Sequence, residues 1–259
     1  MYLSSSPFHR KKVLIFDVDG TVCESCQPLD PKMVKRLNQL GKSYTLAFIS
    51  GSSVHHLQKQ ISSQLFAPHH LLGTSGCEYI RAEQRLKSSL PLFEAIYNET
   101  LSQKEKAEII TTVKELIVTF NIKSKTTPED QLQDRGSQIT LSAIGRNANK
   151  NLKNKFDPEG KKRNIWRRWL NIKLPVGRYD VRVGGTTSID ITRKGMNKAY
   201  GIRRFAEINK FNFSDMIFYG DRLEPGGNDH SVLTLLDCVP VKNPTDTLLH
   251  LKHFKTGNI

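Results

Sequence analysis

Val13-Leu14-Ile15-Phe16 is a continuous apolar run that stops at Asp17-Val18-Asp19-Gly20-Thr21, the pattern of a buried strand feeding a tight turn. Asp30 and Pro31 then open a helix with Met33, Leu37 and Leu40 on one face and Gly41 at the left-handed position that ends it. Thr45-Leu46-Ala47-Phe48-Ile49 predicts a second buried strand, and Ser50-Gly51-Ser52-Ser53 leads into a helix whose inner face carries Val54, Leu57 and Ile61. The alternation returns late in the chain: a helix over about 198–208, a strand over 216–219 closing on Gly220-Asp221, and a strand over 238–241. Strands alternating with helices across short connections predict an α/β fold with a parallel sheet covered on both faces.

The middle of the chain has a different rhythm. Ser102-Gln103-Lys104-Glu105 is a capping box, and behind it Ile109, Val113, Leu116, Ile117 and Phe120 recur at helical spacing. Residues 138–142, 180–183 and 188–191 alternate as strands, with a basic helical stretch between the first and second. This predicts an α+β unit over 88–192 inserted into a core made of 1–87 and 193–259. A length of 259 residues suits one core plus such an insert.

Composition changes the picture in two places. No apolar run approaches the roughly 18 residues that span a bilayer, and the first residues lack an apolar stretch behind a charged one, so no membrane partner and a cytoplasmic location are expected. The net charge of +14 favours polyanions, phosphorylated metabolites or acidic surfaces. Residues 146–182 hold 12 Lys and Arg against 3 Asp and Glu, so much of that excess belongs to the insert. Trp166 and Trp169 among Lys161-Lys162-Arg163 and Arg167-Arg168 would suit nucleic acid. A charge run is ordinarily a solvated helix face, however, so nucleic acid is not the expected partner. Cys23 and Cys26 lack the second half of a zinc site and read as reduced thiols, while His55-His56 and His69-His70 lack metal spacing and read as exposed.

The chemistry gathers where predicted strands end. Asp17 and Asp19 follow the first strand and, by alternation, emerge on the same side, while Asp221 and Asp229 follow a later strand of the same kind. Carboxylates at one rim repel unless a cation joins them, and hard oxygen ligands favour Mg²⁺.

Asp17-Val18-Asp19-Gly20-Thr21, Ser50 after an apolar strand, Lys198 at a helix start, and Asp221 with Asp229 together resemble the haloacid dehalogenase (HAD) phosphotransferase superfamily. Within it the chain is similar to subfamily IIB and to the eukaryotic-type phosphomannomutases. Pro225-Gly226-Gly227-Asn228-Asp229 resembles their metal loop, Ile144-Gly145-Arg146 with the preceding Arg135 a cap segment, and Gly184-Gly185-Thr186-Thr187-Ser188-Ile189-Asp190 their sugar-binding segment. The resemblance implies a Rossmann-like core with a parallel sheet and an inserted α+β type II cap. It implies that Asp17 is the nucleophile, that Asp19 is the acid and base, and that Ser50 and Lys198 hold phosphoryl oxygens. Mg²⁺ would sit on Asp17, the Asp19 carbonyl and Asp221, with Asp229 orienting the metal shell or Lys198. Arg135 and Arg146 would grip a distal phosphate, and Ser188 and Asp190 sugar hydroxyls.

Three departures bear on activity. Cys26 and Lys153 stand where the mutases carry arginines, and Ser50 stands where they carry glycine. A mutase must hold a bisphosphate in two orientations, so the expectation is a Mg²⁺-dependent phosphatase acting on a phosphorylated sugar or small metabolite. The alternative is a phosphomannomutase, and the outlier a polyanion-binding protein with a vestigial site. The oligomeric state stays open, a homodimer included.

Overall fold

The computed structural model describes residues 11–83 and 91–255 and divides into two compact units, one running up to Asn98 and resuming at Asn197, the other Glu99–Met196. No helix among the described residues is long and apolar enough to cross a membrane.

The first unit holds β1 (Val13–Asp17), α1 (Pro31–Leu40), β2 (Thr45–Ile49), α2 (Val54–Leu57) with a π-helical turn over Gln58–Ser62, β3 (His69–Gly73), β4 (Glu78–Glu83) and β5 (Leu92–Asn98). After the insert it resumes with α7 (Lys198–Asn209), β10 (Met216–Gly220), β11 (Asp237–Pro240) and α8 (Pro244–Leu251). The seven strands run in the order β11-β10-β1-β2-β3-β4-β5, parallel from β11 to β3 and antiparallel at β4 and β5. Alternation along β1 sends Leu14 and Phe16 to one face with Met33, Leu37 and Leu251, and Val13 and Ile15 to the other with Ile202 and Phe205. Burial on both faces explains why these strands read as unbroken apolar runs.

Several expectations change. The expected boundary at 87 lies outside the described residues. β5, with its mostly exposed side chains, pairs with β4 and carries the first unit on to Asn98. Its apolar residues are interrupted by Glu94 and lie half-buried or exposed at the sheet edge, so it lacks the unbroken run of a central strand. At the other boundary β9 (Ser188–Arg193) runs past 192, and Arg193 donates to Thr100 and Glu105 of the insert. Gly41 is not left-handed, at φ −63°. A Cβ there would lie 2.3 Å from the Cβ of Ala67, so close packing rather than turn geometry requires glycine. His69 is buried, with its ring between Ser62 Oγ at 2.7 Å and the Ala67 carbonyl at 2.8 Å, and burial pushes its pKa down to about 4.

The inserted unit holds α3 (Gln103–Thr119), α4 (Pro128–Gln131), β6 (Leu132–Asp134), β7 (Gln138–Ser142), α5 (Lys150–Phe156), α6 (Lys161–Lys173), β8 (Tyr179–Gly184) and β9. Its antiparallel sheet has the order β6-β7-β9-β8. Ile139, Leu141, Val181, Ile189 and Ile191 bury against Ile109, Val113 and Leu116 of α3 and Trp166 and Leu170 of α6. The other face is polar in register: Gln138 beside Thr192, Thr140 beside Asp190, which has Arg182 on its other side, and Ser142 beside Ser188.

The capping box at Ser102 forms as expected, and Glu105 also accepts from the Arg193 guanidinium at 2.7 Å, which holds its carboxyl down at about pKa 2. A depressed carboxylate stabilises the fold above its unfolded pKa, and that contribution disappears as pH falls through the folded value. Glu105→Gln is therefore expected to cost about 1 kcal/mol at pH 7. In urea titrations the difference from wild type should shrink below pH 4.5 and vanish near pH 2; a pH-independent difference would refute the assignment.

A candidate active site at the carboxyl ends of β10, β1 and β2

The sheet order places β1 where the chain reverses direction: β2 lies on one side and β10 on the other. Ligands of open α/β sheets bind at such a switch point, outside the carboxyl ends of the strands. Registry aligns Asp17 with Ile49 and Phe16 with Tyr219, so three adjacent strands end at neighbouring heights and hand on to Ser50, Asp17 and Asp221.

Asp17 is buried, and its Oδ1 accepts from Lys198 Nζ. Lys198 is also buried and donates to Asp229 Oδ1 at 2.5 Å. Asp229 is held from the other side by the Arg222 backbone N–H, 3.2 Å from Oδ2. The N-cap Asn197, whose side chain accepts from the Tyr200 N–H, fixes where α7 begins and so where Lys198 emerges. A cation in a first helical turn opposes the helix dipole; here the paired carboxylates outweigh that penalty.

Among the described residues, Asp17, Asp221 and Asp229 bring carboxylate oxygens within 4.8 Å of one another. Burial pushes Asp17 upward, opposed by Lys198 and reinforced by Asp229 and Asp221; Asp221 also rises through burial and Asp229. Burial alone would depress Lys198, yet Asp17 and Asp229 hold it above its ordinary value. Three carboxyl groups face one ammonium, and Asp221 Oδ1 is buried without a hydrogen-bond partner. Gly20, at φ +86°, passes so near that a Cβ would lie 2.5 Å from Asp221 Oδ2, so a side chain there would block the cluster. A hard divalent cation fits this donor set.

Asp19 does not join the cluster. β1 ends at Asp17, and the turn that follows wraps the N–H groups of Thr21, Val22 and Cys23 onto the Val18 carbonyl. Asp19 Oδ1 accepts instead from the Cys26 backbone N–H at 2.7 Å and from Gln60 Nε2 at 3.0 Å. As a metal-site residue it has only its backbone to offer. Ser50 is buried, its Oγ accepting from the Ser52 N–H at 3.1 Å, and Thr21 Oγ1 donates to Asp17 Oδ2 at 3.4 Å. No disulfide forms among the described residues, and burial pushes the Cys23 thiol up to about 12.

In the inserted unit, Thr140 Oγ1 donates to Asp190 Oδ1 at 2.8 Å. Burial raises the Asp190 carboxyl while the charges of Arg135 and Arg182 oppose the rise. Arg135, Arg182 and Asp190 thus share one electrostatic neighbourhood, with Ser188 two residues along the same strand face. Arg146 follows β7, its N–H donating to the Asp130 carbonyl and its carbonyl accepting from Lys153 Nζ at 2.7 Å. The basic run is not wholly a surface. Arg163 is buried, paired with Asp157 at 2.9 Å, and donates to the carbonyls of Gly184 at 3.1 Å and Gly185 at 2.6 Å. Trp166 is buried, and Trp169, partly buried, packs against the same core with Lys173 over its ring.

Sequence reasoning missed Gln60, Arg182 and Arg163. Arg163 leaves a trace, since Arg163, Trp166 and Leu170 fall on one helical face.

Solved structures share the fold of this chain at low sequence identity. An IMP-bound, N-terminally truncated IMP-nucleotidase from Plasmodium falciparum superposes with a TM-score of 0.68 at 15% identity, over 96% of this chain and 69% of that one. A haloacid dehalogenase-like hydrolase from Bacteroides thetaiotaomicron gives 0.61 at 14% identity, over 93% and 98%. The family model for eukaryotic phosphomannomutase matches residues 33–256, and the chain belongs to that family. It is 26% identical over 251 residues to a phosphomannomutase of Schizosaccharomyces pombe (strain 972 / ATCC 24843), covering 93% of each. It is likewise 26% identical over 257 residues to a probable phosphomannomutase of Caenorhabditis elegans, covering 96% of this chain and 97% of the relative.

Proposed function

We propose that this protein is a Mg²⁺-dependent phosphosugar mutase that interconverts mannose 6-phosphate and mannose 1-phosphate through an aspartyl-phosphate. The observation that carries the reading is the family match over 33–256, which includes Ser50, Lys198, Asp221 and Asp229 of the cluster around Asp17. The comparisons support a mutase more strongly than the plain hydrolase expected from the departures at Cys26, Ser50 and Lys153.

Asp17 attacks phosphorus, its P–O bond forming as the bond to the leaving oxygen breaks, and Asp19 delivers the proton that oxygen needs. The acceptor hydroxyl then loses its proton to Asp19 and takes the phosphoryl group from Asp17. Lys198 and Ser50 hold the phosphoryl oxygens, and Asp229 keeps Lys198 in place. Asp17, Asp221 and the Asp19 carbonyl would hold Mg²⁺, which when bound would neutralise phosphate charge and let an anionic nucleophile approach. Arg135 and Arg146 hold the distal phosphate, and Ser188 and Asp190 the sugar hydroxyls.

One observation favours the hydrolase as a second reading: Lys153 is engaged by the Arg146 carbonyl and Cys26 carries no charge, so two phosphate grips are weakened. The test is mannose 1-phosphate with Mg²⁺, with and without a hexose bisphosphate. Isomerisation that requires the bisphosphate and stops with EDTA is expected; free phosphate without isomer would establish the hydrolase instead.

A further inference from the structure

The proton-transferring carboxylate of Asp19 is held by a side chain that the reaction as described does not use. Gln60 lies in the π-helical turn that follows α2 and is only 6% exposed. The Ser63 N–H reaches the Gln58 carbonyl at 3.0 Å, five residues apart, and this widened turn lets Gln60, Ile61 and Ser62 all be buried in succession. Ile61 enters the core and Ser62 meets His69, while Gln60 is directed towards the loop after β1. Its Nε2 has three acceptors in reach: Asp19 Oδ1 at 3.0 Å, Cys23 Sγ at 3.1 Å and the Gln27 carbonyl at 3.0 Å. Three acceptors around one nitrogen fix the amide's orientation, because the oxygen in that place would face a carboxylate. Gln60 Oε1 is buried with no hydrogen-bond partner, a cost of about 1–3 kcal/mol for a neutral group. A glutamine retained at that cost serves its donor end.

Resting on the phosphoryl-transfer reading above, we propose that Gln60 is a positioning residue: it clamps Asp19 Oδ1 and ties the 23–27 loop to it, so that Oδ2 stays aimed at the substrate oxygen. The Cys26 N–H meets the same Oδ1 from the loop side, and the two donors together define the carboxylate plane. Both bonds fall on Oδ1, which makes Oδ2 the oxygen that gives its proton to the leaving oxygen and recovers one from the acceptor hydroxyl. Cys26 sits at φ +59°, in the left-handed region, so the backbone that supplies the second donor is itself constrained by the tie from Gln60 to the Gln27 carbonyl.

The test separates proton transfer from nucleophilic attack by leaving group. Alkyl phosphates, mannose 6-phosphate and glycerol phosphate among them, need a proton on the departing oxygen. p-Nitrophenyl phosphate releases a phenolate that does not. Gln60→Ala and the shape-preserving Gln60→Glu are expected to lose at least about 10-fold in kcat on the alkyl phosphates, within the roughly 10²–10⁴-fold available from acid–base catalysis. On the aryl phosphate the pre-steady-state burst of nitrophenolate, which reads attack by Asp17 without the later acceptor step, should stay within about 3-fold of wild type, and Gln60→Glu keeps the comparison open if Gln60→Ala folds poorly. Equal losses on both substrates, or no loss on either, would overturn the proposal. Wild-type turnover of alkyl phosphates without mannose phosphate isomerisation would overturn the mutase reading and leave the Gln60 comparison standing.

Discussion

Asp17→Asn is expected to lower turnover of every phosphate ester by at least about 10³-fold while the protein stays folded. The substitution keeps shape and volume and removes the electron pair that attacks phosphorus, and residues that act as one catalytic unit lose most of their effect when any member goes. Stability should change little, because the variant relieves the repulsion from Asp221 and Asp229 that opposes ionisation of Asp17 while weakening its bond to Lys198. Circular dichroism and a urea titration check the fold, and steady-state release of phosphate or isomer checks the rate. A variant with more than a tenth of wild-type turnover would remove Asp17 from the role of nucleophile.

The second large effect lies in the inserted unit. Arg163→Met should destabilise by about 3–5 kcal/mol, because it strands Asp157, 4% exposed, without its cation. Burial alone would raise the Asp157 carboxyl, but the N–H groups and guanidinium of Arg163 and the Lys162 N–H hold it below its ordinary value. The same change frees the carbonyls of Gly184 and Gly185, which head the segment carrying Ser188 and Asp190. A raised KM for sugar phosphates should therefore accompany the lower melting temperature. Unchanged melting would show that the pair contributes nothing to the fold; a normal KM would show that Gly184 and Gly185 keep their place without it.

What was legible in the sequence divides along physical lines. The catalytic loop was readable because an apolar run ending in Asp17-Val18-Asp19-Gly20-Thr21 constrains strand, turn and charge at once. Asp221 and Asp229 were readable because parallel topology brings the carboxyl ends of adjacent strands together, whereas Lys198, which begins a helix, was readable only through the resemblance to the HAD superfamily. The hold on Asp19 was not, since the Cys26 N–H and the Gln60 amide that meet its Oδ1 come from a turn and a helix that the strand pattern does not describe. Gln60 was hidden because a period of 3.6 residues cannot forecast a π turn. His69 was misread because a polar symbol in a strand says nothing of the Ser62 hydroxyl waiting for it. β5 escaped notice because an edge strand with mostly exposed side chains lacks the unbroken apolar run of a central strand, and β4, though interior and mostly buried, has Glu78, Arg81 and Glu83 interrupting its apolar residues. Within the basic stretch, counting charges treated Arg163 like Lys161 and Lys162, although only its place on the Trp166 and Leu170 face takes it into the core.

The decisive measurement is acid quench of the enzyme within milliseconds of mixing with ³²P-labelled hexose bisphosphate, followed by peptide mapping. The account predicts a hydroxylamine-labile phosphate on Asp17 that forms and decays at least as fast as turnover. Sustained isomerisation or hydrolysis with no label on that peptide would contradict it.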